Sequence, residues 1–156
     1  MTKDERIELA LNTSTPPEIL AGLAGDGDWS VRYSVAANTS TPPEVLAQLA
    51  RDKDDYVRWN VAANPSTPPE ALAELARDLD FRVRRCVAQN LSTPPEVLSQ
   101  FAKNLDSRIR KIVADNPSTL LEVLLILMVD DEEYVREKAE VALSTRVQTL
   151  PCCVRV

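Results

Sequence analysis

Apolar and polar positions along this chain follow two short patterns that alternate and return every 26 residues. The first, called A, sets Leu46, Leu49 and Ala50 at i, i+3 and i+4. That spacing predicts one buried stripe on a helix of two to three turns. Its copies are Leu20/Leu23/Ala24, Leu72/Leu75/Ala76, Leu98/Phe101/Ala102 and Leu124/Leu127/Met128. The second, called B, sets Val31, Val35 and Asn38 at i, i+4 and i+7, echoed by Val57/Val61/Asn64, Val83/Val87/Asn90 and Ile109/Val113/Asn116. Each pair of patterns predicts two short helices that cannot bury their apolar faces alone. With anchors at Asn12, Asn38, Asn64, Asn90 and Asn116, each 26 residues from the last, the expected fold is all-α: a solenoid of stacked two-helix repeats.

The polar residues between the stripes read as helix punctuation. Ser-Thr-Pro-Pro-Glu precedes helix A, and Thr41 with Glu44 has the spacing of a capping box, with Pro42 and Pro43 in the first two helical positions. The same box is expected at Thr15/Glu18, Thr67/Glu70, Thr93/Glu96 and Thr119/Glu122, the last with Leu120-Leu121 in place of the prolines. An acidic turn follows helix A, and its last acid is placed to cap helix B. The closing Asn suits a left-handed helix end, its amide bonding the next turn. Helix B is short enough to be partly 3₁₀. Residues 1–12 read as a lone helix B, 13–142 as five repeats with the last degraded, and 143–156 as a tail or cap, all within one domain.

Composition narrows the chemistry. The net charge is −6 with a pI near 4.8, so attraction to nucleic acid or to an anionic membrane is not expected. The absence of His removes the usual general base and the usual zinc ligand, and neither a cofactor nor a metal is expected. The three cysteines, Cys86, Cys152 and Cys153, make no disulfide framework. Cys86 falls on a core position of helix B, and the other two read as free thiols in the tail. Met1 to Arg6 shows no signal-peptide pattern and Val123 to Val129 is too short to span a bilayer, so a cytoplasmic location is expected.

Arginine holds one register in every B helix: Arg6, Arg32, Arg58, Arg84, Arg110 and Arg136. It reads either as a basic ladder for an anionic ligand or as an internal ladder, each Arg bonding the acidic turn of its own or the next repeat. Positions that vary between repeats face solvent. One such row is Tyr33, Trp59, Arg85, Lys111, Glu137, and the row a turn earlier is Trp29, Asp55, Phe81, Ser107, Glu133. Trp29, Tyr33, Trp59, Phe81, Arg85 and Lys111 therefore form a candidate binding face centred on Trp59, or else pack over the neighbouring repeat. Tyr56 and Tyr134 lie one residue further round and read as shields for the Arg ladder. In the fifth repeat Leu125 and Ile126 make helix A apolar all round, so either the tail (Val147, Leu150, Val154, Val156) or a second chain must cover it.

Residues 64 to 88 carry the phrase Asn-Pro-Ser-Thr-Pro-Pro-Glu-x-Leu-x-x-Leu-Ala-x-Asp-x-Asp-x-x-Val-Arg-x-x-Val-Ala. This resembles the leucine-rich repeat variant family, and weaker copies in phase cover most of the chain. The resemblance implies short helix pairs, some of them 3₁₀, stacked into a right-handed, HEAT-like superhelix without β-strands. The family's founding member also has a cysteine-rich N-terminal segment holding an iron–sulfur cluster, and here no cysteine precedes Cys86. The functional expectation is a non-catalytic module binding a protein or peptide, as a monomer or a weak homodimer through the C-terminal repeat. Two alternatives stand beside it. One is a HEAT-like enzyme or chaperone for a bound chromophore or nucleobase, and the other is a self-associating scaffold.

Overall fold

The structure, a computed structural model, describes residues 1–149. Among the described residues there are eleven α-helices and no strand. Packing divides the chain into two compact units, residues 1–94 and 95–156, and each is described by itself.

The first unit has two layers. The B helices α1 (Lys3–Leu11), α3 (Trp29–Ala37), α5 (Asp55–Ala63) and α7 (Phe81–Gln89) lie side by side in chain order. The A helices α2 (Pro17–Leu23), α4 (Pro43–Leu49) and α6 (Pro69–Leu75) form the other layer, each packed on the B helix that follows it. Leu20, Leu46 and Leu72 from one layer and Val31, Val35, Val57, Val61, Val83 and Val87 from the other are fully buried. So are Ala10, Ala36, Ala62 and Ala88, whose small side chains let neighbouring B helices approach closely.

The way helix A begins corrects the sequence expectation. Pro42 is extended (φ −58°, ψ 144°), and α4 starts only at Pro43. A proline disfavours the helical region for the residue before it, so Pro43 pushes Pro42 out of the helix and Thr41 one place further. The cap position falls on Pro42, which makes no side-chain cap bond. The buried Thr41 hydroxyl turns inward and donates to Val35 O at 2.6 Å. Thr15, Thr67, Thr93 and Thr119 do the same to Leu9, Val61, Val87 and Val113. The capping boxes expected at Thr15/Glu18, Thr41/Glu44 and Thr67/Glu70 are thus replaced by a bond that ties each A helix to the B helix before it. A true capping box forms at Thr2/Glu5, but none forms at Thr119/Glu122, where Leu120 and Leu121 replace the prolines and Leu120 makes no side-chain cap bond.

Helix B is capped as its sequence suggests. Asp28, Asp54 and Asp80 accept from the backbone N–H of Ser30, Tyr56 and Arg82, a cap contributing about 1 kcal/mol. Its far end is different. Asn38 is extended (φ −73°, ψ 121°), and no non-glycine residue among the described ones has positive φ. Both helices are α, and i→i−3 bonding closes the A helices at Gly25 N–Gly22 O and Asp26 N–Leu23 O.

The second unit comprises α8 (Pro95–Phe101), α9 (Ser107–Asp115), α10 (Leu121–Leu127) and α11 (Glu133–Thr149), with Leu98, Ile109, Val113, Leu124 and Val135 fully buried. Without the prolines, Leu120 still takes the extended cap conformation (φ −64°, ψ 150°), held by the Thr119 bond. The expected tail from residue 143 is helical as far as Thr149. Where the period calls for Asn, α11 has Ala142 and runs on. One turn later Arg146 donates to Asn116 O, Pro117 O and Thr119 O. Leu150, Cys152, Cys153, Val154 and Val156 lie outside the described residues.

Candidate functional site

Two polar ladders fix the first unit before any exposed residue matters. The Asn64 amide donates to Ala36 O at 2.8 Å and Asn38 O at 2.9 Å in the preceding repeat, while its oxygen accepts from Ser66 N at 2.9 Å. Asn38 and Asn90 repeat the pattern on Ala10/Asn12 and Ala62/Asn64. The second ladder is arginine. Arg32 grips Asp52 of the next repeat through Nε (2.6 Å) and Nη2 (2.9 Å), and Nη1 donates to Asp26 O in its own turn. Arg58 holds Asp78 and Asp52 O in the same way, and Arg6 pairs with Asp26 at 2.7 Å. In the second unit Arg110 holds Asp130. Arg84 donates to Asp78 O and Leu79 O.

The first acid of each turn therefore belongs to the arginine and the second to the cap. The i,i+4 pairing of Asp28 with Arg32 is not the one used. Burial pushes the Asp52 carboxyl up, but the Arg32 guanidinium and the Asp54 N–H more than offset it and hold it below the usual carboxylate range. Asp78 behaves alike beside Arg58.

The candidate binding residues come apart into two groups. Asp28 caps α3 and sets Trp29 in its first turn, 46% exposed. The Trp29 ring meets Tyr33 edge-on at 6.0 Å and lies 5.8 Å from Tyr56 with a 36° tilt. Tyr56 is 45% exposed, and the Arg82 guanidinium of α7 rests 4.7 Å above its ring. Carboxylates of Asp55 and Asp80 hold Arg82 in place at 2.6 Å each, and Lys3 pairs with Asp28 at 2.9 Å. The result is a half-open aromatic platform with a cation fixed at its edge and acids around it.

Trp59 is not at its centre. It is half-buried, with its indole N–H turned to the Cys86 thiol. Burial raises the Cys86 pKa, and the indole bond opposes that in part, so this cysteine is an inert core residue. Phe81 is half-buried and Arg85 exposed. Lys111 belongs to the second unit, where its ammonium lies 5.6 Å from the Tyr134 ring and the Tyr134 hydroxyl bonds Ser107. Among the described residues no group of three or more His, Cys, Asp or Glu could hold a metal ion.

A family model described as leucine rich repeat variant matches residues 57–80. A solved structure described as a leucine-rich repeat variant with a novel repetitive structural motif is 30% identical, over 93% of this chain and 67% of that one, with a TM-score of 0.64. The chain belongs to the leucine-rich repeat variant family. Two engineered proteins share the fold alone. They are 23% and 20% identical over 94% and 90% of this chain and 90% and 88% of theirs, with TM-scores of 0.52 and 0.53. No curated protein matches the sequence. This leucine-rich repeat variant is thus an α-solenoid, as its period predicts.

In a leucine-rich repeat variant of this period, rows spaced by 26 hide the contacts that build the platform. Trp29 meets Tyr56, Arg82 meets Asp55, the Asn60 amide donates to Tyr33 O, and Tyr134 meets Ser107. Each pair is 27 apart. The forward flank of one B helix faces the backward flank of the next, and those flanks are different registers about 100° apart. Pairing each exposed position with its equivalent plus one would have found Tyr56 and Arg82 in the sequence.

Proposed function

We propose that this leucine-rich repeat variant is a non-catalytic module that binds a peptide or protein surface through the Trp29–Tyr33–Tyr56 platform edged by Arg82. One observation carries the reading. Two large aromatic rings from successive repeats stand side by side with nearly half their surface open, on a scaffold whose own polar groups are occupied elsewhere. Half-exposed Trp, Tyr and Arg side chains held rigid by neighbours are the composition of binding hot spots, and they lose little conformational entropy when covered. The platform's cation is neutralised by two carboxylates, which suits a polypeptide better than a phosphate chain. A location in the cytoplasm fits the reading and is part of the proposal.

Selection of a displayed random-peptide library on the whole chain tests it. Enriched peptides should lose more than about thirtyfold in affinity to Trp29→Ala, since a desolvated aromatic anchor carries about 2 kcal/mol or more. The melting temperature should stay nearly unchanged, because the ring lies outside the core. Peptides that bind Trp29→Ala and Tyr56→Ala as well as the parent, or a library that yields no enrichment, refute the platform as a recognition surface.

A further inference from the structure

We propose that a second copy of this chain docks on the exposed flank of α10, giving a two-fold homodimer. In α10 and the turns beside it, Leu121, Leu125 (56% exposed), Ile126 (56%), Val129 (80%) and Leu105 (100%) all face solvent. At the registers of Leu125, Ile126 and Val129 the first unit has Ala47, Gln48 and Arg51, then Ala73, Glu74 and Arg77. Three positions that are small or polar elsewhere have become large and apolar here. In the first unit these registers stay open to solvent even beside the next A helix: Gln48 and Arg51 are exposed although α6 packs on α4. Among the described residues no A helix follows α10, because α11 continues unbroken to Thr149.

The patch is built to meet itself. Leu105, Ile126 and Val129 line a groove of about 530 Å³ whose lips carry Lys103 and the pair Asp131 and Glu132. All three charges are exposed, and none makes an ion pair among the described residues. A two-fold axis through the apolar centre would set Lys103 of each copy against Asp131 and Glu132 of the other. That is the self-complementarity an isologous interface requires. An apolar centre with a charged rim is ordinary interface anatomy, and an apolar patch beyond a few hundred Å² is uncommon on a monomer. The contact closes at two copies and does not propagate.

Sedimentation velocity of the full chain from micromolar to several hundred micromolar tests the proposal. The expected result is a concentration-dependent shift from 17.3 kDa to twice that mass. Leu125→Glu/Ile126→Glu should raise the dimer dissociation constant at least tenfold while the circular dichroism stays native. Lys103→Glu should weaken the dimer, and adding Asp131→Lys/Glu132→Lys should restore it, a rescue that does not depend on the apolar variant folding. A parent that stays monomeric throughout overturns the proposal, and so does a dimer indifferent to both sets of changes. Trp29→Ala should leave the dimer intact, so this reading and the platform reading fail separately.

Discussion

Replacing Asn64 by Ala probes the ladder that makes separate helix pairs one stack. The Asn64 side chain is 4% exposed and makes three hydrogen bonds. Asn38 O keeps a partner after the change, because it also accepts from Thr41 N. Ala36 O and Ser66 N lose theirs. An orphaned buried polar group costs about 1–3 kcal/mol, and with Ser66 N only part-buried and so at the low end, the two together should cost about 2–4 kcal/mol. With a urea m-value near 2 kcal/mol/M, that is a midpoint lower by about 1–2 M. Asn12→Ala is the matched control. Asn12 is exposed, and its oxygen makes the equivalent bond to Ser14 N, but its amide donates to no carbonyl among the described residues. Its loss should stay near 1 kcal/mol or below. Asn64→Asp should be at least as harmful as Ala, since it keeps the acceptor but turns both donors into lone pairs facing carbonyls. Urea melts followed by circular dichroism decide it. If Asn64→Ala costs no more than Asn12→Ala, the inter-repeat bonds contribute nothing net and the ladder is only a turn motif repeated.

Two further outcomes follow from the charge pairs. Arg32 and Asp52 have side chains only 7% exposed, whereas Arg51 and Glu74 form a similar bidentate pair at 73% and 45%. Arg32→Ala should cost about 3–5 kcal/mol by stranding a buried carboxylate, and Arg51→Ala less than about 1 kcal/mol, both read from the same melts. The pH dependence comes from Asp52, Asp78 and Asp130, all held below their ordinary range in the folded state beside Arg32, Arg58 and Arg110. Their stabilisation is complete above the unfolded value of about 3.9 and is lost as pH falls through the lower folded values. The urea midpoint should therefore be flat from pH 7 to 5 and fall below about pH 4. Asp52→Asn should lower the plateau and shallow the acid limb, and a midpoint that holds or rises toward pH 3 would contradict the assignment.

How legible the molecule is in its sequence depends on the range of each interaction. The stripes Leu46/Leu49/Ala50 and Val57/Val61 are visible because periodicity and burial are local properties of a helix, and each stripe recurs in phase. Thr41 misleads because two rules compete there. A threonine three residues before a glutamate signals a capping box, but in the repeats each such hydroxyl is spent on a carbonyl of the B helix before it, and the cap falls one residue later, on Pro42 and equally on Leu120. Asn38 misleads in a similar way. Its identity announces a helix end, but its amide is spent on the repeat before it, 26 and 28 residues away. Tyr56 and Arg82 were missed because they are lateral neighbours of Trp29 and Asp55, and lateral contact joins different registers. The length of α11 hangs on one residue, Ala142, which cannot make the Asn bonds that stop the other B helices.

The ladders also decide where a partner can act. A basic row such as Arg32, Arg58 and Arg110 invites reading as an anion site, but each guanidinium already donates to carbonyls of its own turn and to the aspartate of the next. A phosphate or carboxylate ligand could displace those partners only by loosening the joint between repeats, so binding there would be paid for in unfolding. The residues free to vary are the ones the repeat does not use to hold itself together. Trp29, Tyr56 and Arg82 occupy registers that in other repeats hold Asp55, Phe81, Ser30 or Arg108, with no consequence for the core. Stability and recognition should accordingly separate on mutation. Changes at Asn64 or Arg32 should lower the midpoint and weaken binding only as the folded fraction falls, whereas changes at Trp29 should weaken binding at full stability. A variant at Trp29 that lost both together would place its ring among the contacts that hold the stack, and the division of labour argued here would not stand.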